Sequence, residues 1–366
     1  MNYNNDKRIV ATLDAGGTNF IFSAIRGNRE VVPSVNYQAI PDNLEKCLDA
    51  IKQGFKEVIA KLDVPPVAIS FAFPGPADYE HGIIGDLPNF PSFRGGVALG
   101  PMLEEEFKVP VFINNDGSLF AYGEALAGQL PEINRKLIER GSVKQFKNLL
   151  GITLGTGFGG GAVINQELLV GDNGCGGDVW VFRNKKYREC IAEESVSIRA
   201  VKRVYTELSG DHTMLAPEEI FYIAEGKKPG DRQAAIQSFE ELGEMAGDTI
   251  GQANTILDGL IVIGGGLTGA AKYIVPAIVR ELNSTIKMLD GQQFTRTQTK
   301  AYDLTDAEQL NAFLKNSTTE IPIPGTDKTI SYDAEKKCGV VISDLGASKA
   351  IALGAYAFAL HQIDHH

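Results

Sequence analysis

The sequence predicts an α/β fold built from two similar halves, and three observations predict it. Near the N-terminus, and again around residue 155, a short apolar strand runs into a glycine turn and out into a second strand. A third glycine run, Gly264-Gly265-Gly266-Leu267-Thr268-Gly269, follows a buried-type strand and opens a helix. Between these turns, strands and amphipathic helices alternate, the pattern of a sheet covered by helices. At 366 residues the chain accommodates two or three domains of roughly 100–200 residues each.

Taken in order, Arg8 to Asp14 carries Ile9, Ala11 and Leu13 at a strand period, and Phe20, Phe22 and Ala24 repeat it after Asp14-Ala15-Gly16-Gly17-Thr18. Leu44, Leu48, Ile51, Phe55 and Ile59 recur at helical spacing and predict a helix over 43–62, ended by Pro65-Pro66. Val67 to Phe73 reads as a strand entering Phe73-Pro74-Gly75-Pro76. Asp86 to Pro91 is a proline-framed loop. Met102 to Phe107 reads as a helix, Val109 to Ile113 as a strand, and Gly117 to Ala127 as a helix with Asp116 at its N-cap.

Residues 129–148 read as a charged, partly helical surface excursion. Leu149 to Leu154 is a strand, the glycines of 155–161 a turn, and Ala162-Val163-Ile164 the returning strand. A polar loop over 171–178 precedes Trp180, and Glu193-Glu194-Ser195 opens a long helical stretch. Helical periodicity returns from Ala234 to Leu257. Leu260 to Ile263 is a buried strand, and Ala270 to Leu282 the helix after the third glycine run. Residues 284–335 read as a polar insertion or flap with a helix near 303–314, and Ala347 to Gln362 as a closing helix.

Composition limits the function classes. Hydrophobic content of 43% and charged content of 22% are those of a globular chain. A net charge of -11 argues against a nucleic-acid surface, and no apolar run approaches the ~20 residues of a membrane span. The N-terminal segment lacks the apolar core of a signal peptide. Cys47, Cys175, Cys190 and Cys338 form no C-x-x-C pair, which fits a reducing compartment, so the cytoplasm is expected.

The glycine turns carry the chemistry. Glycine lets main-chain N–H groups approach a ligand with no Cβ in the way, so Gly155-Thr156-Gly157 suits phosphate oxygens as well as it suits a tight hairpin. Asp14 beside such a turn would be repelled by phosphate unless a hard cation such as Mg²⁺ lay between them. Otherwise it only initiates the turn. Asp116, at the carboxyl end of a strand, could accept a proton from a substrate hydroxyl or simply cap its helix. Asn89 could read ligand hydroxyls, Trp180 could stack on a sugar ring, and Glu193 equally reads as an ordinary helix-start residue.

Two chemistries compete for these turns. Gly155-x-Gly157-x-x-Gly160 and Gly264-x-Gly266-x-x-Gly269 both fit the dinucleotide pattern of a hydride-transfer enzyme. The first is followed by a strand instead of a helix, and the second lacks the later acidic strand end. No GxxxxGK[ST] P-loop occurs. Phosphoryl transfer uses all three turns together, with Asp116 between the first two.

In this combination and order the motifs resemble the ROK family of sugar kinases (repressor, open reading frame, kinase). Asp14 to Thr18 resembles its first phosphate motif, Leu154 to Gly161 the second, and Ile261 to Thr268 the adenosine motif. Phe73 to Pro76 and Pro88-Asn89 resemble its sugar-side loops, and Asn115-Asp116 its catalytic pair.

The resemblance implies two RNase H-like domains of the actin-like ATPase fold around a central cleft. Residues 1–128 plus 345–366 would form one and 129–344 the other, with the insertion at about 284–335. It implies transfer of the γ-phosphate of ATP to a hydroxyl of a hexose or N-acetylhexosamine, with Mg²⁺ and a homodimeric assembly. Asp116 would be the general base, and Asn89, Asn115 and Glu193 would bind the sugar. Asp14, Gly16, Gly17, Thr18, Gly155, Thr156, Gly157, Gly264, Gly265 and Gly266 would hold the nucleotide.

The chain departs from the family at Gly174-Cys175-Gly176-Gly177-Asp178-Val179-Trp180. Gly177 and Trp180 stand where a Glu and a His are usual, and Asp178 is the candidate stand-in for the acid. Only Cys190 lies near Glu193, so no structural zinc is expected. The phosphate-type motif begins close to residue 9, so the helix-turn-helix of the family's repressors is not expected ahead of it. The altered loop keeps a second reading open, a degenerate member that binds nucleotide or sugar without efficient catalysis.

Overall fold

The structure, a computed structural model, describes residues 3–15, 19–75, 77–85 and 91–365. Its principal elements follow the alternation of apolar residues. In chain order they begin β1 (Val10–Ala15), β2 (Asn19–Arg26), α1 (Leu44–Ile59), β3 (Ala68–Ala72), α2 (Leu99–Phe107), β4 (Val111–Asn114) and α3 (Asp116–Ala127). Next come α4 (Gln129–Glu139), β5 (Leu149–Leu154), β6 (Phe158–Ile164), α5 (Ile198–Ser209), α6 (Pro217–Ala224), α7 (Arg232–Leu257), β7 (Leu260–Gly264) and α8 (Ala271–Leu282). The chain finishes with β8 (Thr285–Lys287), β9 (Gln293–Thr295), β10 (Lys300–Asp303), α9 (Ala307–Leu314), β11 (Thr318–Pro322), β12 (Thr329–Asp333), β13 (Lys337–Ile342) and α10 (Ala347–His365).

The chain divides into two compact units. One holds residues 1–128, 161–177 and 345–366, and the other 129–160 and 178–344. The division places 161–177 with the first unit, apart from the boundaries that the sequence suggests. The reason is a close approach. A Cβ on Gly161 would fall 2.4 Å from the Gly117 carbonyl oxygen, so β6 runs directly against the start of α3.

In the first unit β1, β3 and β4 are parallel neighbours, and β2 pairs antiparallel with β1. The buried alternation of Phe20, Phe22 and Ala24 meets Ile51 and Phe55 of α1 in an aromatic-rich core. Phe22 and Phe55 meet edge to face at 5.0 Å. Asn43 caps α1 by accepting from the Lys46 amide, which starts the helix where the sequence places it. On the other side α10 packs along α3. Cβ atoms on Gly123 and Gly354 would each lie 1.9 Å from a carbonyl oxygen of the opposing helix, Ala350 and Leu119 respectively.

The second unit centres on parallel strands β5, β7, β13 and β10, in that order, with residues 158–160, the start of β6, beside β5. Helices α7 and α8 cover it, burying Phe239, Leu242, Ile250, Ile274 and Ile278.

Three expectations change here. The 129–148 segment is partly helical as expected, but its helix, Gln129–Glu139, is amphipathic with Leu130, Ile133 and Leu137 buried instead of lying free on the surface, because its apolar residues recur at helical spacing among the charges. The 284–335 segment is not one insertion. β10 lies inside it and supplies the edge strand of the central sheet, with Ala301, Tyr302 and Asp303 buried, while β8–β9 and β11–β12 are separate two-stranded hairpins. The glycine turn at 155 spans only Gly155-Thr156-Gly157, since Gly159, Gly160 and Gly161 lie within β6.

Gly354→Ala drives a methyl into the α3 backbone with no flexible side chain to move. It should cost about 1–3 kcal/mol, as overpacked cores do. A thermal melt unchanged from the parent would show that α3 and α10 can separate without penalty.

Candidate active site

Parallel register lines up the functional positions of the first unit. Asp14 of β1 is level with Ala72 of β3, and Ala72 with Asn114 of β4. Asp14 thus stands at the carboxyl edge of the sheet in the same row as the residue two before Asp116. That edge is where open α/β sheets place ligands.

Asn115, and not Asp116, is the N-cap of α3. Its backbone is extended, and its Oδ1 accepts from the Gly117 amide at 2.8 Å. Asp116 is the first helical residue, and its own Oδ1 accepts from the same amide at 2.8 Å. An asparagine one place earlier wins the cap because the chain is still extended there after β4. Asp116 is open to solvent, yet desolvation by the surrounding protein raises its pKa above the usual carboxylate range. The Gly117 amide opposes that shift, and the charge of Asp14 adds to it. A carboxylate so placed is more basic than an ordinary aspartate.

The second unit brings two glycine turns to one edge. Thr153 of β5 pairs with Gly264 of β7, so Gly155-Thr156-Gly157 and Gly264-Gly265-Gly266 leave neighbouring strands at the same end. Gly265 has φ +96°, and a Cβ there would lie 2.3 Å from the Leu154 carbonyl oxygen, which makes the position glycine-only. Gly266 and Gly269 open onto a cavity of about 400 Å³ lined also by Pro217, Phe221, Tyr222 and Phe239. An aromatic-walled slot beside exposed main chain suits a planar base. α6, which supplies much of that wall, was not singled out from the sequence, although Pro217 followed by Glu218-Glu219 is a helix-start signal.

Glu193 sits in a short 3₁₀ turn, Ala192–Glu194, while the long helix begins only at Ile198. Its Oε2 accepts from the Phe158 amide at 3.0 Å, and its Oε1 from Arg199 Nη2 at 3.0 Å. A Cβ on Gly157 would lie 2.6 Å from that Oε2. Gly157 is therefore glycine because Glu193 packs on it. The turn is tied further by the Ile198 amide donating to the Gly155 carbonyl at 2.9 Å. Asp178 belongs to the second unit. Desolvation raises its pKa, opposed by a hydrogen bond from Trp180, a residue that is 39% exposed. Gly16, Gly17, Thr18, Pro76 and Asn89 lie outside the described residues. Among the described residues no group of three or more His, Cys, Asp or Glu side chains is placed to hold a metal ion, and no helix is long and apolar enough to cross a membrane.

Comparison with known proteins agrees with this arrangement. The glucokinase of Thermotoga maritima is 26% identical over 72% of this chain and 83% of its own. The crystal structure of the glucokinase from Parabacteroides distasonis shares 60% identity and superposes with a TM-score of 0.91 over 99% of both chains. A ROK family glucokinase from Streptomyces griseus, in complex with glucose and AMPPNP, superposes with a TM-score of 0.59 at 18% identity, over 96% of this chain and 98% of its own, a likeness of fold. The ROK family profile matches residues 10–307. The chain belongs to the ROK family of sugar kinases, with the actin-like ATPase fold.

Proposed function

We propose that the protein transfers the γ-phosphate of ATP to a hydroxyl of a hexose of the glucose type or of an N-acetylhexosamine. The observation that carries this reading is the placement of Asp116. It stands just beyond the carboxyl edge of a parallel sheet, two residues past Asn114 of the row that contains Asp14, at the first position of α3 and with a raised pKa. Within a family of sugar kinases, that carboxylate is the group suited to take the proton of the attacking hydroxyl. The 60% identity to a glucokinase over the whole chain favours glucose as the acceptor.

The remaining residues position the reactants. Asn115 spends its Oδ1 on the helix cap, which leaves its amide N–H groups as the part suited to a sugar oxygen. Glu193, braced by the Phe158 amide and Arg199, presents fixed carboxylate oxygens whose further lone pairs suit sugar hydroxyls. Asn89 and Asp178 complete the proposed sugar set. Thr156, Gly157, Gly264, Gly265 and Gly266 contribute main-chain N–H groups, with Gly16, Gly17 and Thr18, to the phosphates and ribose; Gly155 shapes the turn, its amide donating to the Gly157 carbonyl at 3.1 Å, and the aromatic slot takes the base. A Mg²⁺ ion fits beside Asp14, a hard oxygen donor at the sheet edge, and would supply charge neutralisation on the phosphates. A homodimer, a cytoplasmic location and the absence of a structural zinc belong to the same reading. The last two rest on the cysteine pattern.

One observation favours a second reading, binding without efficient transfer. Trp180 occupies the place of the family's usual His and hydrogen-bonds to Asp178, the candidate replacement for its Glu. Both readings are decided by ADP release from Mg²⁺–ATP across hexoses and N-acetylhexosamines. Turnover with one sugar, reduced by about 10²–10⁴-fold in Asp116→Asn with the KM for ATP little changed, is the expected result. Saturable ATP binding with no turnover on any sugar would instead select the second reading.

The pH profile offers an independent check. A general base works ionised, so activity falls as pH drops through its pKa, and a raised pKa moves that fall upward. The acidic limb of kcat/KM should therefore lie above the ~3.9 of an unperturbed aspartate and vanish in the residual activity of Asp116→Asn. A limb retained unchanged in that variant would assign it to another group.

A further inference from the structure

The two hairpins β8–β9 and β11–β12 are joined to the second unit in the same place. β9 leads by a short connector into β10, and β12 by another into β13. β10 and β13 are parallel neighbours with Lys300 opposite Lys337, so both hairpins leave the sheet at its amino edge. That is the end opposite the glycine turns, which follow the carboxyl ends of β5 and β7.

Both hairpins are firmly rooted and amphipathic. Arg296, just after β9, is largely buried and pairs with Asp248 at 2.9 Å, and its amide donates to the Ser284 carbonyl. At the other root Lys337 is buried and donates to the Lys315 carbonyl at 2.9 Å. Beyond these anchors the register sorts the side chains by face. Ile286 is opposite Phe294 and Ile321 opposite Ile330, with Tyr332 on the same face as that last pair. The reverse faces carry Lys287, Gln293, Glu320, Thr329, Ser331 and Asp333. Yet Ile286, Met288, Phe294, Ile321, Ile330 and Tyr332 are each 40–60% exposed.

A two-stranded hairpin is marginal on its own in water, and its stability comes from covering an apolar face. These faces are apolar, ordered at the root and uncovered. Half of six such side chains amounts to roughly 500 Å² of apolar surface, taking about 170 Å² for each. A standard interface takes about 800 Å² from each partner, somewhat over half of it apolar, so the two faces supply one side of a stable dimer when a second copy covers both hairpins together. The apolar pairs bear no charge, which matters for two copies that each carry a net charge of -11. An isologous contact sets the same patch against itself, and an uncharged face can do so without like-charge repulsion.

We propose that the apolar faces of these hairpins form the contact between two copies of this chain. The inference rests on the homodimer included in the reading above and names its surface. Sedimentation of the full chain at micromolar concentration should give twice the 39.5 kDa of one chain. The double variant Ile321→Asp with Ile330→Asp, and separately Phe294→Asp, should sediment as a monomer while retaining unaltered circular dichroism and sugar-dependent ADP release. Thr329→Asp, on the polar face of the same hairpin, should remain dimeric. Variants that stay dimeric would overturn the surface and leave the dimer standing. A monomeric parent chain would remove both.

Discussion

The position of α3 is the constraint on which the first unit's chemistry depends. Its N-terminus carries Asn115 and Asp116, and three backbone approaches fix it. α10 meets it at Gly123 and Gly354 with no room for a methyl group, and β6 meets its first turn at Gly161. Rigid contacts of this kind suit the carboxylate proposed as general base, because misplacement by ~1 Å of a reacting group can cost ~10²-fold in rate. The C-terminal helix thus supports the proposed site, although it contributes no reacting atom. It packs on β1, β3 and α3, the elements that bring Asp14 and Asp116 to one edge.

The second unit reaches a comparable precision by different means. Parallel pairing of β5 with β7 fixes the relative heights of two glycine turns, and the carbonyl of Leu154 against Gly265 sets their separation. Glu193 then locks the first turn from the outside, through the Phe158 amide and through contact with Gly157. A residue proposed for the sugar and a turn proposed for the phosphates are therefore mechanically one piece. Movement of either displaces the other, and Arg199 holds the pair to the start of α5.

Much of this was legible in the sequence because the strongest signals are local. The strands flanking Asp14 and Gly155, helix α1, the Leu260 strand and the closing helix all declare themselves by period and by turn residues. Asn115-Asp116 was legible as a unit, while which of the two caps α3 was not. Both residue types make good caps, and the choice depends on where β4 lets go of extended geometry. The role of Gly157 was not legible either. A glycine that clears space for a phosphate and one that clears space for Glu193, distant in sequence, look identical in a linear string.

The segment 284–335 shows why exposed polar stretches mislead. β10 has only four residues, and its burial comes from pairing with β13, which no local pattern around Lys300 announces. The hairpins on either side hide in a different way. Alternation of Ile with Thr, Glu and Ser in β11 and β12 is a strand signal, but it normally implies a covering layer, and the described residues supply none. Amphipathic order without a covering layer is costly for an isolated chain, since fixing each residue's backbone costs about 1–2 kcal/mol. A segment that keeps Ile321 opposite Ile330 and Ile286 opposite Phe294 is organised for a face that closes outside the chain itself.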